Sequence, residues 1–432
     1  MGRERTGDGR ARFDAFVDRL GLTLHHADRK EPLRLYLTGL LLPGERKSIE
    51  PMAARVDPRH VSARHQSLHH FVAEANWETA EFLRSASDYA LAEIERHGPI
   101  AAWVVDDTGM PKKGRHSVGV GRQYCGALGK QDNCQVSVSV SLANAVASVP
   151  CAYRLYLPES WSKDRARRRA AGVPSEIEFR TKWQIAIEQI DELLLEGLSQ
   201  APVVADSGYG DTTAFREALT ARGLPYAVGI KAETSLWPPG VEPLAPVHRS
   251  GRGRQPTRLR RSPTHNPVSA RELAQALPPN AFKAARWREG TRGRMSARCA
   301  AVRVQPAHRD NERTALRAAE WLLVEWPLGE SQPTKYWLST ASEAASLQDL
   351  VTLAKIRWRI ERDYQELKDE IGLDHYEGRN WRGFHHHGAL CIAAYAFLAA
   401  ERARLSPPAP LAFLVPPRLP KSFRPRGSAR AS

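Results

Sequence analysis

Hydrophobic and polar positions divide the chain into three textures. Over residues 11–95, Phe13, Phe16, Val17 and Leu20 recur at helical spacing. Residues 33–42 continue that pattern until Pro43-Gly44 stops it, which predicts a helical domain over residues 1–95. From Pro99 the pattern becomes that of strands. The apolar run 100–105 ends in Asp106-Asp107-Thr108-Gly109; Val136, Val138 and Val140 alternate with serines, as in a half-buried strand; and CAYRLYLP supplies a third. Residues 176–198 carry Ile187, Ile190, Leu193 and Leu194 at helical spacing. PVVADSGYG reads as a short buried strand ending in Asp206 and a Gly-rich turn, residues 212–222 as a helix, and 226–230 as a strand ending in Lys231. Such alternation predicts an α/β fold, a mixed sheet flanked by helices.

The alternation lapses over residues 232–345, predicted to be an insertion with a loop-like basic start and strands near 297–304 and 321–326. One helix is expected over 350–372 and a strongly apolar one over 384–403, docking on the sheet. The Pro- and Arg-rich tail, 405–432, has the composition of a disordered segment. The expected organisation is therefore a helical domain (1–95), an α/β core in two parts (96–231 and 346–404), a basic, partly β insertion between them (232–345), and a tail.

Charge narrows the partner. The 432 residues hold 63 Lys plus Arg against 48 Asp plus Glu, a formal charge of +15, which favours a polyanion and most simply nucleic acid. Arg254, Arg258 and Arg261 lie in a stretch poor in acids, and Trp287 within RWREG could stack on a base or pack in a core. Arg46, Lys47, Arg55, His65, His69 and His70 near predicted helix starts suit duplex phosphates or form a solvated basic face. Five scattered cysteines without a CxxC pair indicate neither a disulfide framework nor a zinc cluster, which fits a reducing cytoplasm. No segment reads as a membrane span or signal peptide. His385, His386 and His387 are adjacent and would fan about 100° apart on a helix, so they cannot share one metal.

The candidate chemistry centres on residues 354–368, AKIRWRIERDYQELK. Arg357, Glu361 and Lys368 fall on one helical stripe at i, i+4 and i+11. A carboxylate among cations suits a divalent metal, with Arg and Lys holding phosphate oxygens; a surface helix with ordinary ion pairs would look the same. Upstream, aspartates at the ends of two apolar strands have no packing reason to be there and need a metal, a basic partner or solvent.

VVDDTGMPKKGRHSVGVGRQYCGALGKQDNCQVSVSVSLA, VVADSGYGD and RWRIERDYQELKDEIGLDHYEGRNWRGFHHH together resemble the RNase H-like DDE transposases. Within them the chain is similar to bacterial insertion-sequence transposases of the family numbered 701, related to the larger family numbered 4. Related enzymes carry Tyr-x2-Arg-x3-Glu-x6-Lys on the glutamate helix. Arg357, Glu361 and Lys368 match its last three members, and Ala354 stands at the tyrosine position. The resemblance implies an acidic triad of Asp107, Asp206 and Glu361 holding two Mg²⁺ or Mn²⁺ ions, with Arg357 and Lys368 on phosphates. Asp107 is preferred because the family's aspartate is followed by Ser or Thr, here Thr108; Asp106, on the opposite face of the strand, is the alternative. Lys231, Arg254, Arg258, Arg261 and Trp287 are the further DNA-contact candidates. The resemblance also implies transposon-end and target DNA as partners, a homodimer in the end-paired complex, and a cytoplasmic, nucleoid-associated location. A DNA binder without catalysis and a nuclease that never joins ends are the rival readings, and a basic RNA-associated scaffold would leave the three acids without purpose.

Overall fold

The computed structural model describes residues 7–247, 250, 254–290 and 293–406; the expected tail lies, from residue 407 onward, outside them. The described residues form two compact units, residues 7–201 with 356–406, and residues 202–355.

Unit 1 opens with five helices, α1 (Gly7–Leu22), α2 (Lys30–Leu41), α3 (Ile49–Val56), α4 (Val61–Ala73) and α5 (Thr79–Ile94), so the stretch is helical as the periodicity predicts. Four strands follow, β1 (Ala102–Pro111), β2 (Gly121–Cys125), β3 (Lys130–Ala143) and β4 (Ser148–Leu155), then α6 (Glu159–Ser162), α7 (Arg165–Ala170) and α8 (Lys182–Leu195). The chain then enters unit 2 through β5 (Val203–Ala205), α9 (Ser207–Gly210), α10 (Thr213–Ala221), β6 (Tyr226–Ile230), β7 (Ser235–Trp237), β8 (Val268–Ser269) and α11 (Ala270–Ala276). It continues as β9 (Lys283–Gly290), β10 (Gly293–Pro306), β11 (Glu320–Trp326), β12 (Lys335–Ser339) and α12 (Leu347–Lys355). Back in unit 1 come α13 (Trp358–Glu366), a π-helical turn (Leu367–Ile371) and α14 (Trp381–Leu405).

In unit 1, β3 is the central strand, antiparallel to β1 on one edge and to β2 and then β4 on the other. In unit 2, β5 and β6 are parallel across α10, and β6 continues antiparallel through β12, β11 and β10, with β9 and β7 both on β10. The class is the expected α/β, mixed sheet with flanking helices. The core of unit 1 is closed by α14, whose residues from Phe384 to Ala400 are nearly all buried against α5 and β4.

Three expectations change. The paired aspartates sit inside β1 and not at its end, because pairing with β3 continues through Asp106↔Ser139 and Asp107↔Val138 to Pro111↔Cys134. The Val/Ser alternation of β3 is not a half-buried pattern: Ser137, Ser139 and Ser141 are as inaccessible as the valines, and Tyr364 of α13 donates its hydroxyl hydrogen to Ser139 Oγ. Small hydroxylated side chains there let a helix approach the sheet closely, so alternation marked two packed faces instead of one wet one. Finally, the helix expected over 350–372 is interrupted at Ile356 and Arg357. Buried positions of α12 (Leu350, Val351, Leu353, Ala354) and of α13 (Ile360, Asp363, Tyr364) with Leu367 would point roughly 110° apart on a continuous helix, so one straight rod cannot bury both stripes.

The orientation of α13 is set by a buried carboxylate. Asp363 is 3% exposed and accepts from Ser148 Oγ at 2.8 and 2.6 Å and from Tyr395 Oη at 2.7 Å, tying α13 to β4 and α14. Burial raises its pKa to about 6, and the two hydroxyls act against that rise. Two residues earlier on a helix is about 200° away, so fixing Asp363 inward turns Glu361 outward.

The adjacent histidines are structural. His386 stacks on Trp77 with ring centroids 3.7 Å apart. His387 donates Nε2–H to Gly372 O (3.0 Å) and accepts at Nδ1 from the Tyr36 hydroxyl (2.8 Å), so its neutral form is fully satisfied, and burial pushes its pKa down to about 4. An unfolded histidine takes its proton near pH 6.5, so His387 stabilises unit 1 fully above that pH. The contribution is lost as pH falls toward 4, by on the order of 3 kcal/mol. His387→Gln, which keeps a donor for Gly372, should be less stable at pH 8, yet its urea midpoint should fall less steeply between pH 6.5 and 4 than that of the native chain.

Candidate active site

Within unit 1, strand β1 and helix α13 bring two acids onto one cation. Arg357, at the N-cap of α13, donates from Nη1 to Asp106 Oδ2 at 2.7 Å and from Nη2 to Glu361 Oε1 at 2.5 Å. Asp106 belongs to the face of β1 that also presents Ser139 across the pairing to α13. Asp107 points to the other face, where Lys182 of α8 holds its Oδ2 at 3.0 Å. The structure therefore joins Arg357 and Glu361 as expected from their spacing, and sets Asp106, not Asp107, beside them. Glu361 is 57% exposed and Asp106 only 15%, so the pair runs from the edge of the core to solvent. The guanidinium thus bridges the two carboxylates with one charge-assisted hydrogen bond to each.

Lys368, in the π-helical turn, donates to Gly109 O at 2.9 Å on the same strand, and burial lowers its pKa below that of a free lysine. Lys112 reaches the Asp374 and Tyr376 carbonyls at 3.2 and 2.8 Å, and burial lowers it likewise. These two ammonium groups fix the far end of β1 to the segment after α13.

In unit 2, Asp206 directly follows β5 and caps α9, its Oδ1 accepting from the N–H groups of Gly208 at 2.8 Å and Tyr209 at 3.4 Å. The sequence reading of this stretch as strand, acid and glycine turn holds. Glycine is needed at position 210 because a Cβ there would come within 2.1 Å of Gly229 O on β6. Among the described residues, no group of three or more His, Cys, Asp or Glu side chains is gathered for a metal.

The other predicted contact residues fare unequally. Arg254 and Arg258 are exposed. Lys231 is largely exposed and lies 3.3 Å from Asp211. Arg261 is committed internally, to Asp310 at 2.8 Å and to Ala307 O. Trp287 is half-buried and its ring faces Lys355 Nζ at 4.3 Å, with Trp337 on another side at 5.0 Å. Lys355 in turn pairs with Glu325, and both are nearly buried. The N-terminal cations divide as well. Lys47 is buried, its ammonium on the carbonyls of Leu40 and Leu42 at the end of α2, whereas Arg46 is exposed and pairs with Glu377.

Sequence reasoning passed over Lys182, Asp363 and the arginines of α7. The α7 run was visible as RARRRA; Arg167 stacks on Trp161 at 3.8 Å, and Arg165 and Arg169 stay exposed. Nothing local marks Lys182 or Asp363, whose partners lie 75 and 215 residues away.

In this α/β core, strand β1 and helix α13 each bring a carboxylate to Arg357, and residues 19–294 match the family described as DDE superfamily endonuclease. The chain belongs to that family. It is 33% identical over 168 residues to the probable transposase for insertion sequence element IS701 of Microchaete diplosiphon, a match covering 39% of this chain and 41% of that relative. Against solved structures it is similar to the piggyBac transposase in a cryo-EM synaptic complex with hairpin DNA, with a TM-score of 0.42, 11% identity, and 88% of this chain and 66% of that one covered.

Unit 2 offers a direct check on Trp287 and its surroundings. Glu325→Gln strands the Lys355 ammonium in a site it shares with two indoles and should destabilise the protein by about 3–5 kcal/mol. Glu325→Gln combined with Lys355→Met should recover most of that loss in a denaturant melt; equal losses in the single and double variants would mean that the pair is not what holds Trp287.

Proposed function

We propose that this chain is an insertion-sequence transposase that binds transposon ends, cuts the phosphodiester backbone and transfers 3′ ends to target DNA. The observation that carries the reading is the pair Asp106 and Glu361 bound to one guanidinium in a chain of the DDE endonuclease family. Of the two neighbouring aspartates, the geometry of unit 1 favours Asp106 as the first acid, although its sequence context favours Asp107. Asp206, in unit 2, is the proposed third.

The donor set suits a hard divalent cation such as Mg²⁺ or Mn²⁺, because it offers carboxylate oxygens and no thiolate or imidazole. Two such ions, held by Asp106, Asp206 and Glu361, would supply an ionised nucleophile and a neutralised leaving oxygen. The chain's own cations do the positioning. Arg357 presents a planar fork that fits a phosphate as well as it fits two carboxylates, and Lys368 keeps a single strong charge beside β1. Lys182 balances the charge of Asp107 on the opposite face of the strand. Arg254, Arg258 and Lys231 extend phosphate contact over unit 2, in keeping with the net charge of +15. Pairing two ends calls for two copies of the chain, and the DNA it acts on places it in the cytoplasm at the nucleoid. No described helix is long and apolar enough to cross a membrane.

Labelled terminal DNA incubated with Mg²⁺ tests the assignment. Asp106→Asn and Glu361→Ala should each lose cleavage by at least about a thousandfold while still binding the DNA, and Asp107→Asn should keep most of it. The opposite ranking of the aspartate variants returns the role to Asp107, full activity without Glu361 removes the helix from the site, and cutting without joining makes the protein a nuclease. Arg254→Ala with Arg258→Ala should lower the slope of log K against log salt by up to about 2, and an unchanged slope takes both residues off the DNA.

A further inference from the structure

Unit 2 holds a cleft of about 400 Å³ between the start of α10, the end of β6 and the turn after β10. Arg216, Lys231, Arg261, His308 and Arg309 line it with two carboxylates, Asp211 and Glu233. Both acids are already answered. Asp211 accepts from the Thr234 hydroxyl at 2.8 Å and lies 3.3 Å from Lys231, and Glu233 pairs with Arg271 at 2.9 Å. The cations are not all answered in return. Arg216 is 3% exposed, yet among the described residues it donates only to the Gly210 carbonyl and to Thr213 Oγ1 at 3.2 Å. Its electrostatic neighbour Glu320 is itself buried, and that burial favours the uncharged carboxyl. Arg309 is exposed and makes no side-chain hydrogen bond or ion pair to a described residue.

The turn that carries Arg309 is held in place. Asp310, almost fully buried, accepts from Trp237 Nε1 at 2.6 Å and from Arg261 Nε at 2.8 Å. Arg309 itself adopts φ 50°, a left-handed conformation that costs any residue with a Cβ and persists only when its surroundings impose it. The result is a buried arginine at the back of the cleft, a second arginine at its mouth, Lys231 beside them and the hydroxyls of Thr213, Thr234 and Ser235 on the wall. The positive field also reaches His308, whose pKa is lowered by burial first and then by Arg309, Arg317 and Arg216.

We infer that this cleft is a phosphate-binding site, seated on Arg216 and closed by Arg309 and Lys231, that takes one phosphate of a DNA backbone. Guanidinium pairs match phosphate oxygens in direction as well as charge, and a desolvated arginine without a carboxylate in hydrogen-bond reach gains more from an anion than a solvated one does. The inference rests on the DNA reading above and extends it to Arg216 and Arg309, which the sequence did not suggest.

Duplex DNA binding measured over a salt series tests it with the full chain, and melting in inorganic phosphate supplies a second arm. Arg309→Ala, an exposed change that leaves folding intact, should lower the slope of log K against log salt by about 0.9. The loss of affinity between 50 and 200 mM salt then becomes about 3.5-fold smaller. Inorganic phosphate should raise the melting temperature of the native chain and do so less for Arg309→Ala. An unchanged slope with a phosphate response that disappears means the cleft takes free phosphate and overturns the backbone assignment. An unchanged slope and an unchanged phosphate response overturn the site altogether. If the native chain binds no duplex at all, the DNA reading fails, and the phosphate arm alone then decides whether the cleft is an anion site.

Discussion

The carboxylate of Asp363, shut inside unit 1 and answered by two hydroxyls, is the constraint on which the rest of the candidate site depends. An acid so placed tolerates little movement, since losing either donor leaves a buried oxygen unpaired. Ser148 and Tyr395 come from a strand and a helix on two sides of α13, and with the Arg402–Glu366 ion pair between α14 and α13 they fix the helix in rotation as well as position. The outward side of the same helix is then free for charged residues. Glu361 and Arg357 reach Asp106 because the inward side is held.

A second consequence concerns charge. Asp106 and Asp107 are neighbours in sequence, but the pleat sends them to opposite faces, and each finds a different cation: Arg357 for one, Lys182 for the other. Two adjacent like charges in a mostly buried strand are thus separated electrostatically by the sheet itself. Unit 2 uses a related device at Asp310, where an indole N–H and Arg261 hold the acid while the next residue back, Arg309, is left facing outward.

Much of the framework was legible in the sequence. The helical character of residues 11–95, β5 with its terminal Asp206, the extent of β6 and the long apolar α14 follow from periodicity and turn residues alone. Strand β1 was legible as a strand but not in length, because the acids that seemed to end it are carried through by pairing with β3. The choice between Asp106 and Asp107 could not be read locally, since it depends on which face the glutamate helix covers. The break before α13 was hidden because each half looks helical, and the conflict appears only when both buried stripes are drawn on one cylinder. Lys182 and Asp363 carried no signal at all, their partners being far away along the chain. Arg261 misled in the other direction, as one more base in a basic run that is in fact held by a buried acid.

The order of the chain through the two units sets the timing of assembly. Unit 1 is left at Ala201 and resumed only at Ile356, and its closing contacts span the gap: Ser148 with Asp363, Tyr36 with His387, Arg12 with Glu401. On the ribosome the first 200 or so residues must wait, their inner surfaces uncovered, while the whole of unit 2 is made. A ribosome that stopped short of α13 would release a polypeptide without α13 and α14, so the inner face of unit 1 would stay open however long the fragment survived.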